Sequence, residues 1–227
     1  SLMILFRVPR GTRRLMIIRV LCSQVVSLVL SLNRGSWISL AVGIIVSSTV
    51  HLKRVKVRWL IICFVAIAIT FGSVIYDRFS EMKERSYFGH KNTLHGRVEY
   101  WKKLLPVVME KPLTGHGIGT AVLVSEKLLG TDNPPHNDYL RLAFESGVFG
   151  SIFYLMFLVL EIVRGIKNSS RERFWSVNYA ALGTVIYFAM ISGFQNIVYN
   201  VTVFPMFLGL LGLTHKANDL AKAGEWR

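Results

Sequence analysis

The sequence predicts an all-α fold, a polytopic bundle of about six transmembrane helices with one helical loop domain on the outer side of the membrane. Of the 227 residues, 52% are hydrophobic and only 18% are charged, and the mean hydropathy is +0.43. A soluble domain rarely combines so much apolar content with so little charge. The apolar residues also fall into separate runs, and most basic residues lie between those runs.

The apolar runs give the predicted spans in chain order. Four runs approach or exceed the roughly 18 residues of a membrane-spanning helix, and these are 15–32, 59–76, 147–163 and 177–199. Two shorter runs, 36–50 and 201–213, cross a bilayer if flanking polar side chains reach the interface or the bilayer thins. The chain begins with Ser, and residues 1–6 resemble the end of an earlier apolar helix. We therefore expect a C-terminal fragment of a longer membrane protein.

Charge predicts the orientation of these spans. Basic clusters occupy 7–14, 51–58 and 164–173, whereas 77–144 is nearly balanced with ten basic and eight acidic residues. By the positive-inside rule the clusters are cytoplasmic and 77–144 is outside. This topology accounts for the net charge of +14, so we expect no nucleic-acid partner. The predicted organisation is a first helix group (1–76), an outer loop (77–144), a second helix group (145–214) and a cytoplasmic tail (215–227).

Short helices are predicted within the outer loop. Apolar residues at helical spacing predict a helix over 94–105 that Pro106 kinks or ends. The apolar stripe of this helix consists of Val98, Trp101, Leu105 and Val108. A second helix is predicted over 120–129, and Asn137 or Asp138 caps a third that continues into the next apolar run.

His136 is the main candidate for chemistry. It stands in the proline-stiffened turn PPHNDYL, directly before a helix that enters the membrane. Histidine exchanges protons near neutral pH, and the positive end of a helix dipole keeps its ring neutral. We expect a base at the water side of the bilayer. The alternative is a loop histidine that caps a helix or bonds to a carbonyl group.

Arg34 and Arg97 are candidates for binding an anion. Arg34 precedes Gly35 in a turn between apolar runs, and Arg97 lies near a helix start with Trp101 four residues later. A guanidinium group presents a planar fork that matches phosphate oxygens, and a helix N-terminus also favours anions. The alternatives are an Arg34 that reaches lipid headgroups and an Arg97 that is a solvated surface residue.

Neither a metal nor a cofactor is predicted. The glycine-rich segment 115–120 lacks the spacing and the βαβ setting of a dinucleotide motif, so we expect a turn that enters a helix. The outer loop contains four histidines, which are His90, His95, His116 and His136. No pair has the i, i+4 spacing of helical zinc ligands, and no cysteine accompanies them.

Four stretches of the chain resemble the O-antigen ligase and polymerase superfamily of bacterial inner-membrane glycosyltransferases. They are 33–40 (NRGSWISL), 96–101 (GRVEYW), 110–120 (EKPLTGHGIGT) and 135–147, which includes PHNDYL and ESG. The last two, in this order on one outer loop, are the specific part of the likeness. Asn33 departs from the Ser or Thr usual in the family but keeps a polar side chain.

The resemblance implies a largely helical membrane fold of about ten to twelve spans. It also implies transfer of a glycan from undecaprenyl diphosphate to an acceptor hydroxyl at the periplasmic face of the bacterial inner membrane. Arg34 and Arg97 match the arginines that hold the diphosphate, and His136 matches the essential histidine. Possible supporting residues are Trp101, Asn137, Asp138 and Glu145, of which the two carboxylates are the nearest in sequence that could orient His136.

The expected partners are an undecaprenyl-diphosphate-linked glycan, a glycan or lipid A-core acceptor, and membrane lipid. An in-line attack would invert the anomeric carbon without a metal. Ligase, polymerase and protein-glycosylating activities share the motifs and stay open. A transporter or channel with a structured outer loop is the main alternative, but it predicts ionisable residues in mid-membrane. The predicted spans carry few polar residues of this kind, and most lie near an end. An intramembrane hydrolase is a third alternative.

Overall fold

The fold is helical throughout the part of the chain that is described. The computed structural model describes residues 19, 22–24, 26–28, 33–50, 94–129, 135–168 and 175–223. Helices with defined bounds are α1 (Arg34–Val50), α2 (Leu94–Val108), α3 (Thr120–Leu129), α4 (Asp138–Asn168), α5 (Trp175–Ile191) and α6 (Val203–Ala223). No strand occurs within these residues, which confirms the mostly helical prediction. The predicted span 59–76 and most of the span 15–32 lie outside the described residues.

The chain divides into two compact units. One comprises Ser1–Ile75, Ile162–Tyr187 and Phe207–Arg227, and the other comprises Tyr76–Glu161 and Phe188–Met206. The second unit contains both His136 and Arg97. We call it the loop unit, because it also contains the connections that surround these two residues.

The core of the loop unit lies between α2, α3 and the first turns of α4. Its buried members are Tyr100, Leu104, Val108, Ala121 and Phe144. The hydroxyl groups of Tyr100 and Ser125 form a hydrogen bond inside this core, so α2 and α3 are joined by a polar contact as well as by apolar packing.

The apolar stripe predicted for α2 was partly wrong, because Val108 is buried and Trp101 packs against the core but Leu105 does not. Tyr100, Leu104 and Val108 form the buried face, whereas the side chain of Leu105 is 54% exposed. Both stripes satisfy helical spacing, and the buried hydrogen bond of Tyr100 selects the observed one. The helix also continues to Val108, so Pro106 lies inside its last turn and ends it only two residues later.

Helix α4 has 31 residues and is, among the described residues, the one helix long and apolar enough to cross a membrane. Most of its apolar side chains from Val148 to Ile166 are exposed, whereas Tyr154 and Leu158 are buried. A soluble protein rarely exposes such a continuous apolar surface. The position of this surface agrees with the predicted span over 147–163.

The ends of α5 and α6 differ from the sequence prediction. The predicted span 177–199 is too long, because α5 ends at Ile191 and turns occupy 192–202. In contrast, α6 continues to Ala223, beyond the predicted boundary at 214. The apolar composition of 192–202 hid the end of the helix, although Ser192-Gly193 is a typical turn pair. We call this segment the 192–202 loop.

Small and polar residues pack the other unit. An added Cβ on Gly43 would lie 2.6 Å from the carbonyl oxygen of Gly183, so α1 and α5 approach at their backbones. Nearby, the hydroxyl groups of Ser48 and Tyr179 lie 3.0 Å apart. Small residues and interhelical hydrogen bonds are typical of helix packing in membranes.

Candidate functional site

The backbone at His136 is strained. His136 has φ +50°, and it is the one non-glycine residue with positive φ in the described part of the chain. This conformation costs about 1–2 kcal/mol for an L-residue, so neighbouring contacts must hold it. The Trp101 indole donates a hydrogen bond to the Pro135 carbonyl oxygen at 2.7 Å. On the other side, the Asn137 side chain accepts from the Leu140 amide at 3.1 Å and caps α4, as predicted.

The surroundings of His136 favour a neutral ring. Burial lowers the pKa of His136 most, and the positive charge of Arg97 lowers that pKa further. A hydrogen bond with the Gln195 side chain acts in the opposite direction, and the net pKa is below its ordinary value. The ring is therefore uncharged at neutral pH and can accept a proton.

Arg97 lies near the N-terminus of α2, and one of its Nη atoms donates to the Phe194 carbonyl oxygen at 2.9 Å. The guanidinium group is thereby attached to the 192–202 loop, while its charge acts on His136. Arg34 is the first residue of α1, where the Asn33 side chain accepts from the Ser36 amide at 3.3 Å. The side chain of Arg34 lies outside the described part of the structure, so its role as a second cation stays a prediction.

The 192–202 loop is joined to the start of α4 by Asp138. The Oδ2 atom of Asp138 accepts from the amides of Ile197 at 2.9 Å and Val198 at 3.1 Å. The Asp138 amide donates to the Ser192 carbonyl oxygen at 2.7 Å. These three hydrogen bonds hold the backbone of the 192–202 loop against Asp138, two residues after His136.

Glu145 and Arg141 form a second set of contacts with the same loop. Their side chains are 0% and 9% exposed, and the Nε atom of Arg141 lies 3.0 Å from Oε1 of Glu145. The Tyr199 hydroxyl donates to Oε2 of Glu145 at 2.6 Å, and the Arg141 guanidinium lies 3.5 Å from the centre of the Tyr199 ring. The Ala121 amide at the start of α3 donates to Oε1 at 3.3 Å. Glu145 therefore compensates one buried cation and a free helix N–H group.

The glycine-rich segment packs against a break in α4. Gly147 has φ +65° and ψ −161°, so the helix is interrupted there. The Phe144 and Glu145 carbonyl oxygens accept from the amides of His116 at 2.8 Å and Gly117 at 2.9 Å. A Cβ on Gly115 would lie 2.5 Å from the Glu145 backbone carbon. This segment is a close backbone crossing, which agrees with the predicted turn that enters a helix.

His116 has a packing role at the crossing. Its ring stacks on Phe144 with centroids 4.6 Å apart, and its Nε2 atom lies 2.7 Å from the Val107 carbonyl oxygen. No three His, Cys, Asp or Glu side chains lie close enough to hold a metal ion within the ranges that the structure describes.

Sequence reasoning named Trp101, Asn137, Asp138 and Glu145 but missed the 192–202 loop that they contact or approach. The 192–202 loop contributes the Phe194 carbonyl group, the side chains of Gln195 and Tyr199, and two amides. Arg141 was also missed. The available signal was the group of polar residues in SGFQN at the end of a predicted span.

These features define a helical protein with a membrane-length helix and a histidine–arginine pair at its polar end. Residues 18–155 match the O-antigen ligase family, and since this match covers more than half of the chain, the chain belongs to that family. The recognition made from the motifs is confirmed, and family membership supports a role in glycan transfer.

A protein of Rickettsia conorii (strain ATCC VR-613 / Malish 7), provisionally named a polysaccharide ligase, is 24% identical to this chain over 144 residues. The match covers 56% of this chain and 35% of the relative, so the chain spans about a third of the relative's length. No solved structure matches the chain significantly.

Proposed function

We propose that this chain carries the reaction site of a membrane glycosyltransferase of the ligase or polymerase type. In this proposal it moves a glycan from undecaprenyl diphosphate to an acceptor hydroxyl at the periplasmic face of the bacterial inner membrane. The observation that carries the proposal is the half-buried His136. It is held in a strained conformation, it has a lowered pKa, and it lies within the electrostatic influence of Arg97.

The chemistry needs one proton acceptor and at least one fixed cation. The acceptor hydroxyl attacks the anomeric carbon as the bond from that carbon to the diphosphate breaks, and the carbon is inverted. His136 takes the hydroxyl proton, a role that contributes about 10²–10⁴-fold to such reactions. Arg97, with Arg34 as the proposed second cation, stabilises the negative charge that develops on the leaving diphosphate.

The supporting residues keep this pair in place. Trp101 and Asn137 fix the backbone on the two sides of His136. Asp138 and Glu145 connect α4 to the 192–202 loop, which carries the partners of both Arg97 and His136. Preorganisation of this kind matters because a misplaced catalytic group loses much of its effect.

The membrane arrangement is part of the proposal. Helix α4 would cross the bilayer, so its N-terminus would place His136 at the periplasmic surface where lipid-linked glycans are used. The division into helix groups at 1–76 and 145–214, an outer loop at 77–144 and a cytoplasmic tail belongs to the same proposal.

The test is a transfer assay with the purified full-length protein. It combines undecaprenyl-diphosphate glycan with separate lipid A-core, glycan and peptide acceptors, and mass spectrometry identifies the product. We expect transfer to one acceptor class, and a loss of at least about 100-fold for His136→Ala. A matched control is His116→Ala, which should lower the melting temperature but keep the kcat of the folded protein. Full activity of folded His136→Ala would remove His136 from the mechanism.

A further inference from the structure

Most of the unpaired buried polar atoms belong to the His136–Asp138 segment and to Asn196 of the 192–202 loop. Five buried side-chain atoms lack a hydrogen-bond partner in the described part of the chain. Four of them belong to the loop unit, namely Nδ1 of His136, Oδ1 of Asp138, and Oδ1 and Nδ2 of Asn196, and the fifth is Oγ of Ser39. The Asp138 carboxylate is also a hydrogen-bond partner of the Ser192 side chain, so the atoms of Asn196 and His136 are the clearest unpaired groups. Folded proteins leave few such atoms, because burying an unpaired polar group is costly. A bound ligand or an ordered water would supply the missing hydrogen bonds.

Contacts of the neighbouring residues hold the backbone of Asn196 in place. The preceding residue, Gln195, bonds to His136, and the following residue, Ile197, donates its amide to Asp138. One residue further back, the Phe194 carbonyl group accepts from Arg97. Consecutive Cα atoms lie about 3.8 Å apart. The contacts on both sides therefore hold the backbone of Asn196 close to the His136–Asp138 segment.

The chemistry of these atoms indicates a neutral polar ligand. The side-chain amide of Asn196 offers both a donor and an acceptor, and the nearby Asp138 is a carboxylate. A carboxylate repels a diphosphate, and Arg97 already provides the cation for that group. Hydroxyl and N-acetyl groups of a sugar supply both hydrogen-bond roles without charge.

We propose that Asn196 forms a sugar subsite that hydrogen-bonds a hydroxyl or N-acetyl group of the glycan beside His136. This inference rests on the function proposed above and adds a specificity-determining residue to it. The sugar belongs either to the donor or to the acceptor, and the two sources share the same chemistry.

The test uses Asn196→Leu in the full-length protein, with parent substrates and with analogues that lack single hydroxyl or N-acetyl groups. One arm changes the donor and the other changes the acceptor. We expect kcat/KM with parent substrates to fall at least tenfold. The variant should also stop discriminating between parent and analogue in one arm, which identifies the source of the sugar. Its melting temperature should stay equal or rise, because apolar atoms replace two unpaired polar atoms.

Asn200→Leu is the matched control, because Asn200 lies at the end of the same loop but its Oδ1 accepts from the amides of Thr202 and Val203. It should lower the melting temperature and leave analogue discrimination unchanged. The same pattern in Asn196→Leu would overturn the subsite and assign the amide to a structural water. If the wild-type protein transfers no glycan to any acceptor, the proposed function falls and the subsite falls with it. If it does transfer glycan and Asn196→Leu discriminates like wild type, only the subsite is refuted.

Discussion

Replacement of Gly147 by Ala tests whether the break in α4 is required by the segment that crosses it. A Cβ at this position would lie 2.3 Å from the Leu113 carbonyl oxygen and 2.7 Å from the Gly115 amide nitrogen. Both atoms belong to the backbone, so no side-chain rotation can relieve the overlap. The φ of +65° and ψ of −161° also lie in a region that is essentially restricted to glycine.

The steric overlap and the unfavourable backbone conformation in Gly147→Ala each lower the free energy of unfolding. The backbone conformation costs a non-glycine residue about 1–3 kcal/mol. Moving the crossing segment away weakens three hydrogen bonds, including the bond of 2.8 Å from the Val148 amide to the Pro112 carbonyl oxygen. Each bond contributes about 0.5–1.5 kcal/mol. The expected loss is therefore between about 2.5 and 7.5 kcal/mol, a large part of the roughly 5–15 kcal/mol that stabilises a typical protein.

Alanine variants at two other glycines distinguish the cost of backbone strain from the cost of steric overlap. Gly119 has φ +84° but nothing within 4 Å of an added Cβ, so Gly119→Ala should cost only the strain, about 1–2 kcal/mol. Gly212 lies in α6 with open space around it, and Gly212→Ala should stabilise that helix by about 0.5–1 kcal/mol. Thermal unfolding of the purified proteins in detergent measures all three variants. If Gly147→Ala loses no more stability than Gly119→Ala, the backbones at this crossing do not limit each other.

Three further predictions concern the residues around His136. Glu145→Ala should lower the unfolding free energy by about 3–5 kcal/mol, because it leaves Arg141 buried without its carboxylate partner. Adding Arg141→Met to the same protein should recover most of this loss. No recovery would contradict the pairing of Glu145 with Arg141. Activity should decline toward acid pH as His136 becomes charged, with a midpoint below the ordinary histidine pKa because burial and Arg97 lower the pKa. Gln195→Leu removes the contact that raises this pKa, so the acid limb of kcat/KM should move to lower pH, and an unmoved limb would exclude that contact. Arg97→Lys should reduce transfer at least tenfold, since a point charge does not replace a planar fork; an unchanged rate would limit Arg97 to holding Phe194.

Local signals in the sequence predicted the elements that local chemistry determines. The bounds of α3 were predicted correctly, and Asn137 caps α4 as one of the two expected residues. The start of α1 was predicted within two residues. In each instance the deciding residues are neighbours in the chain, so caps and periodicity carry the information.

The end of α5 could not be found in the same way. Hydropathy treats Phe194, Ile197 and Val198 as a continuation of the span, although the backbone groups of these residues bond to Arg97 and Asp138. Those partners are at least 59 residues away in the chain. The hydropathy of one segment carries no information about hydrogen bonds to distant residues. The sequence therefore predicted His136 and Arg97 but not the loop that contacts both of them.

The residues that hold His136 in its conformation come from distant parts of the chain. A residue with φ +50° does not hold that conformation through local preference, so its partners must come from elsewhere in the chain. The 96–101 stretch supplies Trp101 to one side of His136, and the 192–202 loop supplies Gln195 to its ring. The 110–120 stretch forms backbone hydrogen bonds with α4 beside Gly147 and so supports the helix that begins after His136. If His136 is the base that we propose, substitution of any one of these supports should therefore lower activity even though His136 itself is unchanged.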